Sequence, residues 1–161
     1  MSKDAVFIYS DELLGYRFSD EHPFNQTRLT LTMDLLKEAN ALQSDEIVPP
    51  RMATDEELFL NHDPNYVSAV KRASVGQLSQ DQAEGFGIGT EDTPMFQGMH
   101  EASAYLVGGT LTAVDLVMTG KAKHVLHLGG GLHHGFQGKA SGFCIYNDRS
   151  VAIRYLQEKY G

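Results

Sequence analysis

Two adjacent histidines, His133 and His134, stand in the stretch Gly129-Gly130-Gly131-Leu132-His133-His134-Gly135-Phe136-Gln137-Gly138-Lys139-Ala140-Ser141-Gly142-Phe143-Cys144. An imidazole changes charge near neutral pH, so it can take a proton from an attacking water and return it to a leaving amine. Two neighbouring imidazoles could divide those tasks, and the flanking glycines remove side-chain bulk that would keep substrate away. The same pair is also compatible with a solvated surface pair or a fortuitous metal binder. His124 and His127 read as structural: on a strand, positions i and i+3 point to opposite faces and cannot both ligate one metal. The glycine run lacks the G-x-G-x-x-G spacing and the Gly-Lys-Ser/Thr ending of phosphate loops. Cys144 reads as a buried small hydrophobe rather than a nucleophile.

The elements that must position this loop follow from pattern. Ala5-Val6-Phe7-Ile8-Tyr9 and His124-Val125-Leu126-His127-Leu128 are short, apolar and β-branched or aromatic, as buried strands are. Leu29, Leu31, Met33, Leu35 and Leu36 mix two periodicities, but the length and the close at Lys37-Glu38-Ala39-Asn40 favour a helix from Thr27. Thr54-x-x-Glu57 has capping-box spacing, and Asp63-Pro64 offers a second helix start that should run to Gly76. Residues 84–94 are glycine-rich and aperiodic, which predicts a loop. A long helix should follow from about Pro94 to Thr119, interrupted at Gly108-Gly109 by close packing or a kink. A last helix is expected from Asn147 to Lys159. Strands alternating with helices imply an α/β fold with a parallel sheet, whose function collects on loops at the carboxyl ends of strands. The loop after Leu128 is in that place, and two central strands are few for a sheet covered on both faces.

The 161 residues suit one domain, and 42% hydrophobic residues supply a core. A formal net charge of −8 argues against direct binding of nucleic acid or an anionic membrane, both of which need a basic face. A small molecule or a protein is the expected partner. One cysteine, no signal-like start and no long apolar run predict a cytoplasmic, soluble chain.

Three blocks in order, Gly130-Gly131-Leu132-His133-His134, Ala140-Ser141-Gly142-Phe143-Cys144 and Asn147-Asp148, closely resemble the G-G-x-H-H…A-S-G-F-C…N-D signature of histone deacetylases and their bacterial relatives. His22-Pro23…Arg28 resembles that family's early H-P…R element, and Glu91-Asp92-Thr93-Pro94 with Phe96 and Gly98 its E-D-x-P-x-F-x-G segment. The triple glycine and Gly98-Met99-His100-Glu101-Ala102 look most like the bacterial acetoin-utilization subgroup. The resemblance covers nearly the whole chain. It implies a three-layer α/β/α domain of the arginase/deacetylase type, of which residues 1–161 are an N-terminal part with a truncated sheet.

Residue by residue, the resemblance makes His134 a general base and His133 its neighbour that stabilises an oxyanion or assists proton transfer. Gly142 and Phe143 would line an acyl-lysine tunnel, Asp92 would hold the substrate backbone at the rim, and Arg28 would lie near an inner acetate channel. Asp92 could instead shape a turn, Arg28 could be a surface helix residue, and Phe143 could be core. The implied cofactor is zinc, with potassium as a further cation, and the implied substrate is an acetylated protein such as acetyl-CoA synthetase, or a small acetyl-amide such as an acetylpolyamine. The family's zinc ligands follow in a D-x-D-x-H-H-G-D-G segment and a later Asp, with a late Tyr beyond; the chain reaches Gly161 before any of them. No set of three metal ligands is expected within it. The isolated chain is therefore expected to lack deacetylase activity, and an unpaired sheet edge should favour self-association.

Overall fold

The computed structural model describes residues 2–161. Its strands are β1 (Lys3–Ile8), β2 (Ile47–Val48) and β3 (Ala122–Leu126). The helices are α1 (Thr27–Glu38), α2 (Asp55–Leu58), α3 (Pro64–Ser74), α4 (Gln80–Glu84), α5 (Met99–Met118) and α6 (Asp148–Tyr160). The sheet runs β2-β1-β3, all parallel, with Phe7 opposite Ile47 on one side and Leu126 on the other. Parallel pairing needs a crossover, and the long one between β1 and β3 carries α5 back across the sheet. Val6, Ile8 and Ala122 pack there with Ala113 and Leu116 of α5.

The helix α5 is apolar nearly all round because it is central: α3, α6 and β3 all pack on it. It begins at Met99 rather than Pro94, since Gly98 takes a left-handed φ of 79° and the preceding residues run irregularly. Its end is the expected one. Gly120, at φ 69°, lets its own N–H reach Val117 O and that of Lys121 reach Leu116 O, so two terminal carbonyls are satisfied. No helix among the described residues is long and apolar enough to cross a membrane.

Several expectations hold in detail. Thr54 Oγ1 accepts from Glu57 N while the Glu57 carboxylate accepts from Thr54 N, and Asp63 caps α3 with Pro64 in its first turn. On α1, Leu29 and Met33 are buried whereas Leu31 and Leu35 are exposed, which resolves the mixed periodicity in favour of a helix with one covered stripe. Two of these strands and α-helices were not expected. The two-residue strand β2 is too short to show a period, and α4 sits at the edge of the glycine-rich segment, started by a Ser79 and Gln82 capping box.

Candidate active site

The loop between β3 and α6 leaves the carboxyl end of β3 and carries both imidazoles. His133 and His134 are exposed, with ring centroids 4.2 Å apart at 38°. His133 Nδ1 donates to Gly131 O at 2.9 Å. The ring of His134 lies over Gly142, where a Cβ would stand 3.0–3.2 Å from its carbon atoms. Gly142 is thus required to be small as well as left-handed, at φ 51°.

Ser141 and Cys144 close a two-residue turn through paired backbone hydrogen bonds of 3.1 and 2.9 Å, with Gly142 and Phe143 at its tip. Phe143 has φ 68°, a conformation that costs a bulky residue about 1–3 kcal/mol and persists only where surroundings impose it. Tyr16 imposes it. Its buried hydroxyl donates to Phe143 O at 2.5 Å and accepts from Ile145 N at 3.1 Å. Burial pushes the Tyr16 phenol up, so it remains a donor.

The Phe143 ring meets the edge of His22 at 4.9 Å, and His22 carries the connection to the rim. Its Nδ1 accepts from Phe24 N, so Nε2 carries the proton and donates to Asp92 O at 3.2 Å. Asp92 itself is exposed, on a cleft of about 450 Å³ shared with Gly87, Lys139 and Ser141. Arg28 is exposed on α1. It donates to Leu128 O at 2.9 Å, where the loop begins, and lies over the Phe24 ring at 5.4 Å. The structure therefore brings His133, His134 and Gly142 into contact with Phe143 next along the turn, links Asp92 to Phe143 through His22, and puts the exposed Arg28 at the start of the loop.

The glycine run serves packing rather than phosphate. The His127 ring inserts between α5 and the loop, its Nε2 donating to Leu106 O at 3.0 Å. A Cβ at Gly109 would fall 2.6 Å from that ring, one at Gly129 3.1 Å and one at Gly130 2.8 Å. Asp148, 1% exposed, then fixes the loop by accepting from Gly131 N, Leu132 N (2.7 Å) and Thr110 Oγ1 (2.6 Å). Cys144 is buried and its thiol is pushed up by that burial, in keeping with a packing role.

Among the described residues no group of three or more His, Cys, Asp or Glu is arranged to hold a metal ion. A zinc ion does not fit this chain's residues by themselves.

The model of the histone deacetylase domain matches residues 22–161. The chain belongs to the histone deacetylase family. Acetoin utilization protein AcuC of Bacillus subtilis (strain 168) is 60% identical over 158 residues, covering 98% of this chain and 41% of that protein. The AcuC of Staphylococcus aureus (strain MSSA476) is 52% identical over 159 residues, with 99% and 41% covered. A crystal structure of a histone deacetylase homologue complexed with SAHA superposes with a TM-score of 0.87 at 28% identity, over 98% of this chain and 42% of that one. One from Aquifex aeolicus gives 0.86, also at 28% identity. The chain spans about two fifths of the length of these deacetylase relatives. The parallel sheet with helices is the deacetylase α/β fold over the matched part.

The sequence singled out the imidazole pair and the Gly142-Phe143 turn, and its reading of His127 as structural holds, but it did not disclose the supports Tyr16, His62 and Tyr66. His62 Nδ1 lies 3.1 Å from Gln137 O, Asn147 N donates to His62 Nε2 at 3.0 Å, and Tyr66 Oη donates to Ile145 O at 2.7 Å. The clue for His62 was its place just before the Asp63-Pro64 cap.

Three histidines, His62, His100 and His127, have pKa values lowered by burial. Unfolded, each would titrate near the ordinary value of about 6.5, so between that value and the folded one the unfolded chain binds more protons. Their contribution is complete above about pH 6.5 and is lost as pH falls through the lowered folded values. Glu57, Glu101 and Asp115, also held low in the fold, titrate only further down, below the ordinary carboxylate values of 4.5, 4.5 and 3.8. Unfolding free energies from urea titration should therefore fall already in the window from about pH 6.5 down to the carboxylate range, by up to about 1.4 kcal/mol per pH unit for each histidine. A flat free energy across that window would show that these rings open to water without unfolding.

Proposed function

We propose that the full-length protein carrying this chain is a cytoplasmic, zinc-dependent lysine deacetylase, hydrolysing the acetyl-amide bond of ε-N-acetyl-lysine in a protein. The observation that carries it is the exposed His133–His134 pair set against the Gly142-Phe143 turn at the carboxyl end of a parallel strand. A proton acceptor beside an aromatic wall suits a substrate with a long aliphatic stem and a reactive amide at its end. His134 takes the proton of the attacking water, and the pair returns a proton to the departing amine. The Phe143 ring packs the stem, and Asp92 meets the substrate backbone at the rim. The metal ligands lie outside these residues. The resemblance to AcuC proteins supports a role in acetoin utilization, with acetyl-CoA synthetase as the kind of acetylated substrate involved; an acetylpolyamine would suit the same tunnel.

The absence of a three-ligand group among the described residues favours a second reading for this chain by itself, noncatalytic binding of acyl-lysine. One experiment addresses both: the 161-residue chain and the full-length protein are each incubated with an acetyl-lysine peptide and zinc. Turnover by the full-length protein alone is expected. Zinc-dependent turnover by the short chain, above a His134→Ala control, would overturn the assignment of the ligands elsewhere, and no turnover by the full-length protein would overturn the deacetylase reading.

A further inference from the structure

Outside the imidazole pair, His62 is a buried histidine hydrogen-bonded through both ring nitrogens. Its ring is 2% exposed and uses both nitrogens on backbone. Asn147 N–H can only donate, so Nε2 is an acceptor there (3.0 Å), and the proton sits on Nδ1, which donates to Gln137 O (3.1 Å). Asp63 N–H donates to the same carbonyl at 3.0 Å.

Both contacts are made to the loop just beyond the imidazole pair. Gln137 is three residues beyond His134. Asn147 sends its side-chain amide back to Gly135 O at 2.9 Å and His133 O at 3.3 Å, while its Oδ1 accepts from Ser150 N at 3.0 Å at the start of α6. The hydrogen bonds form a closed circuit, from His62 to Asn147, from Asn147 to the carbonyls of His133 and Gly135, and along the chain to Gln137 and back. Nothing else in the circuit is a side chain of another element.

We propose that His62 is a positioning residue that holds the His133–His134 turn through its neutral, Nδ1-protonated ring. This rests on the deacetylase reading only for its effect on turnover. The groups that face the ring are the phenols of Tyr66 on α3 and Tyr146 on the loop, at 5.6 and 5.2 Å between centroids, with the carbonyls of Phe136 and Gln137. The Asp63 carboxylate is turned to Asn65 N at 2.9 Å. Burial lowers the pKa of His62 and keeps it neutral. A second proton would put a donor on Nε2 against the Asn147 N–H and open the circuit at that joint.

Two uncharged replacements separate positioning from bulk packing. His62→Gln can set a carbonyl oxygen near the place of Nε2 and keep the Asn147 contact; His62→Asn can set an amide N–H near the place of Nδ1 and loses it. In the full-length, zinc-loaded protein acting on an acetyl-lysine peptide, His62→Asn should lower kcat about 10- to 100-fold with KM little changed, and His62→Gln should recover most of it. The acid limb of log kcat should lose one proton of slope in both variants, because a second titrating group has gone. With selective ¹⁵N-histidine labelling, the His62 ring should give the Nδ1–H tautomer, and the His133 and His134 signals should move in His62→Asn and return in His62→Gln. Unmoved His133 and His134 signals would overturn the positioning role whether or not the protein turns over substrate. Absence of turnover by the parent protein, with those signals moving as expected, would instead sink the deacetylase reading and leave the positioning intact.

Discussion

Replacing His134 with Ala in the full-length protein should lower kcat for an acetyl-lysine peptide by about 10²–10⁴-fold, the range that a positioned general base contributes. The expectation follows from placement. His134 is exposed and packs on Gly142, so its ring faces the turn where the substrate's amide would lie. No carboxylate among the described residues hydrogen-bonds either ring, and the one ring hydrogen bond among them is His133 Nδ1 with Gly131 O. Because the side chain holds no part of the fold together, its loss should leave the melting temperature within about 1 °C of the parent, in line with the roughly ±0.5 kcal/mol typical of exposed substitutions. KM should change little, since the substrate stem is held by Phe143 and the rim. Steady-state kinetics with a parallel thermal melt read all three quantities. A kcat within threefold of the parent would remove His134 from the proton-transfer role and pass it to His133.

How far the sequence disclosed this arrangement depends on the range of the interactions involved. The cap of α2, the cap of α3 and the end of α5 were legible because each depends on residues within one helical turn. The imidazole pair was legible because it is contiguous. The start of α5 was not, since nothing local distinguishes Met95 to Gln97 from helix; Gly98 decides it by turning left-handed. Likewise, the three glycines looked as though they cleared room for substrate. Gly129 and Gly130 clear room for His127, a residue of the same chain whose ring could be placed only once α5 and β3 were packed, and Gly131 takes a left-handed φ of 92°. The clamps on the loop come from Tyr16, His62 and Tyr66, which lie 75 to 129 residues away in sequence from the backbone groups they hold. Periodicity carries no information over such separations.

The same contrast between local preference and tertiary contact sets the sign of a substitution in α5. On helix propensity alone, Gly108→Ala in a helix interior should stabilise by about 1 kcal/mol. The packing says otherwise. A Cβ on Gly108 would lie 1.7 Å from Arg51 O, 2.7 Å from Arg51 C and 2.9 Å from Ala53 N, all backbone atoms. No side chain can swing aside to make room, so the segment before α2 would have to retreat. That segment is tied down on both sides of the contact. Ala53 N donates to Ala104 O on α5 at 3.0 Å, and the Arg51 guanidinium grips Glu57 with two bonds of 2.7 and 2.6 Å while lying over the Tyr155 ring. A retreat would strain or break these and open a gap beside the buried Ala53. Overpacking of this kind costs about 1–3 kcal/mol and more when backbone must move, which exceeds the propensity gain. Gly108→Ala is thus expected to lower the melting temperature by about 4–8 °C. Gly138→Ala, where the added carbon meets nothing within 4 Å, should leave it unchanged and controls for the loss of a glycine as such. A Gly108→Ala protein as stable as its parent would mean that the 49–53 segment yields freely, and that the bonds to Ala104 and Glu57 contribute little to holding it on α5.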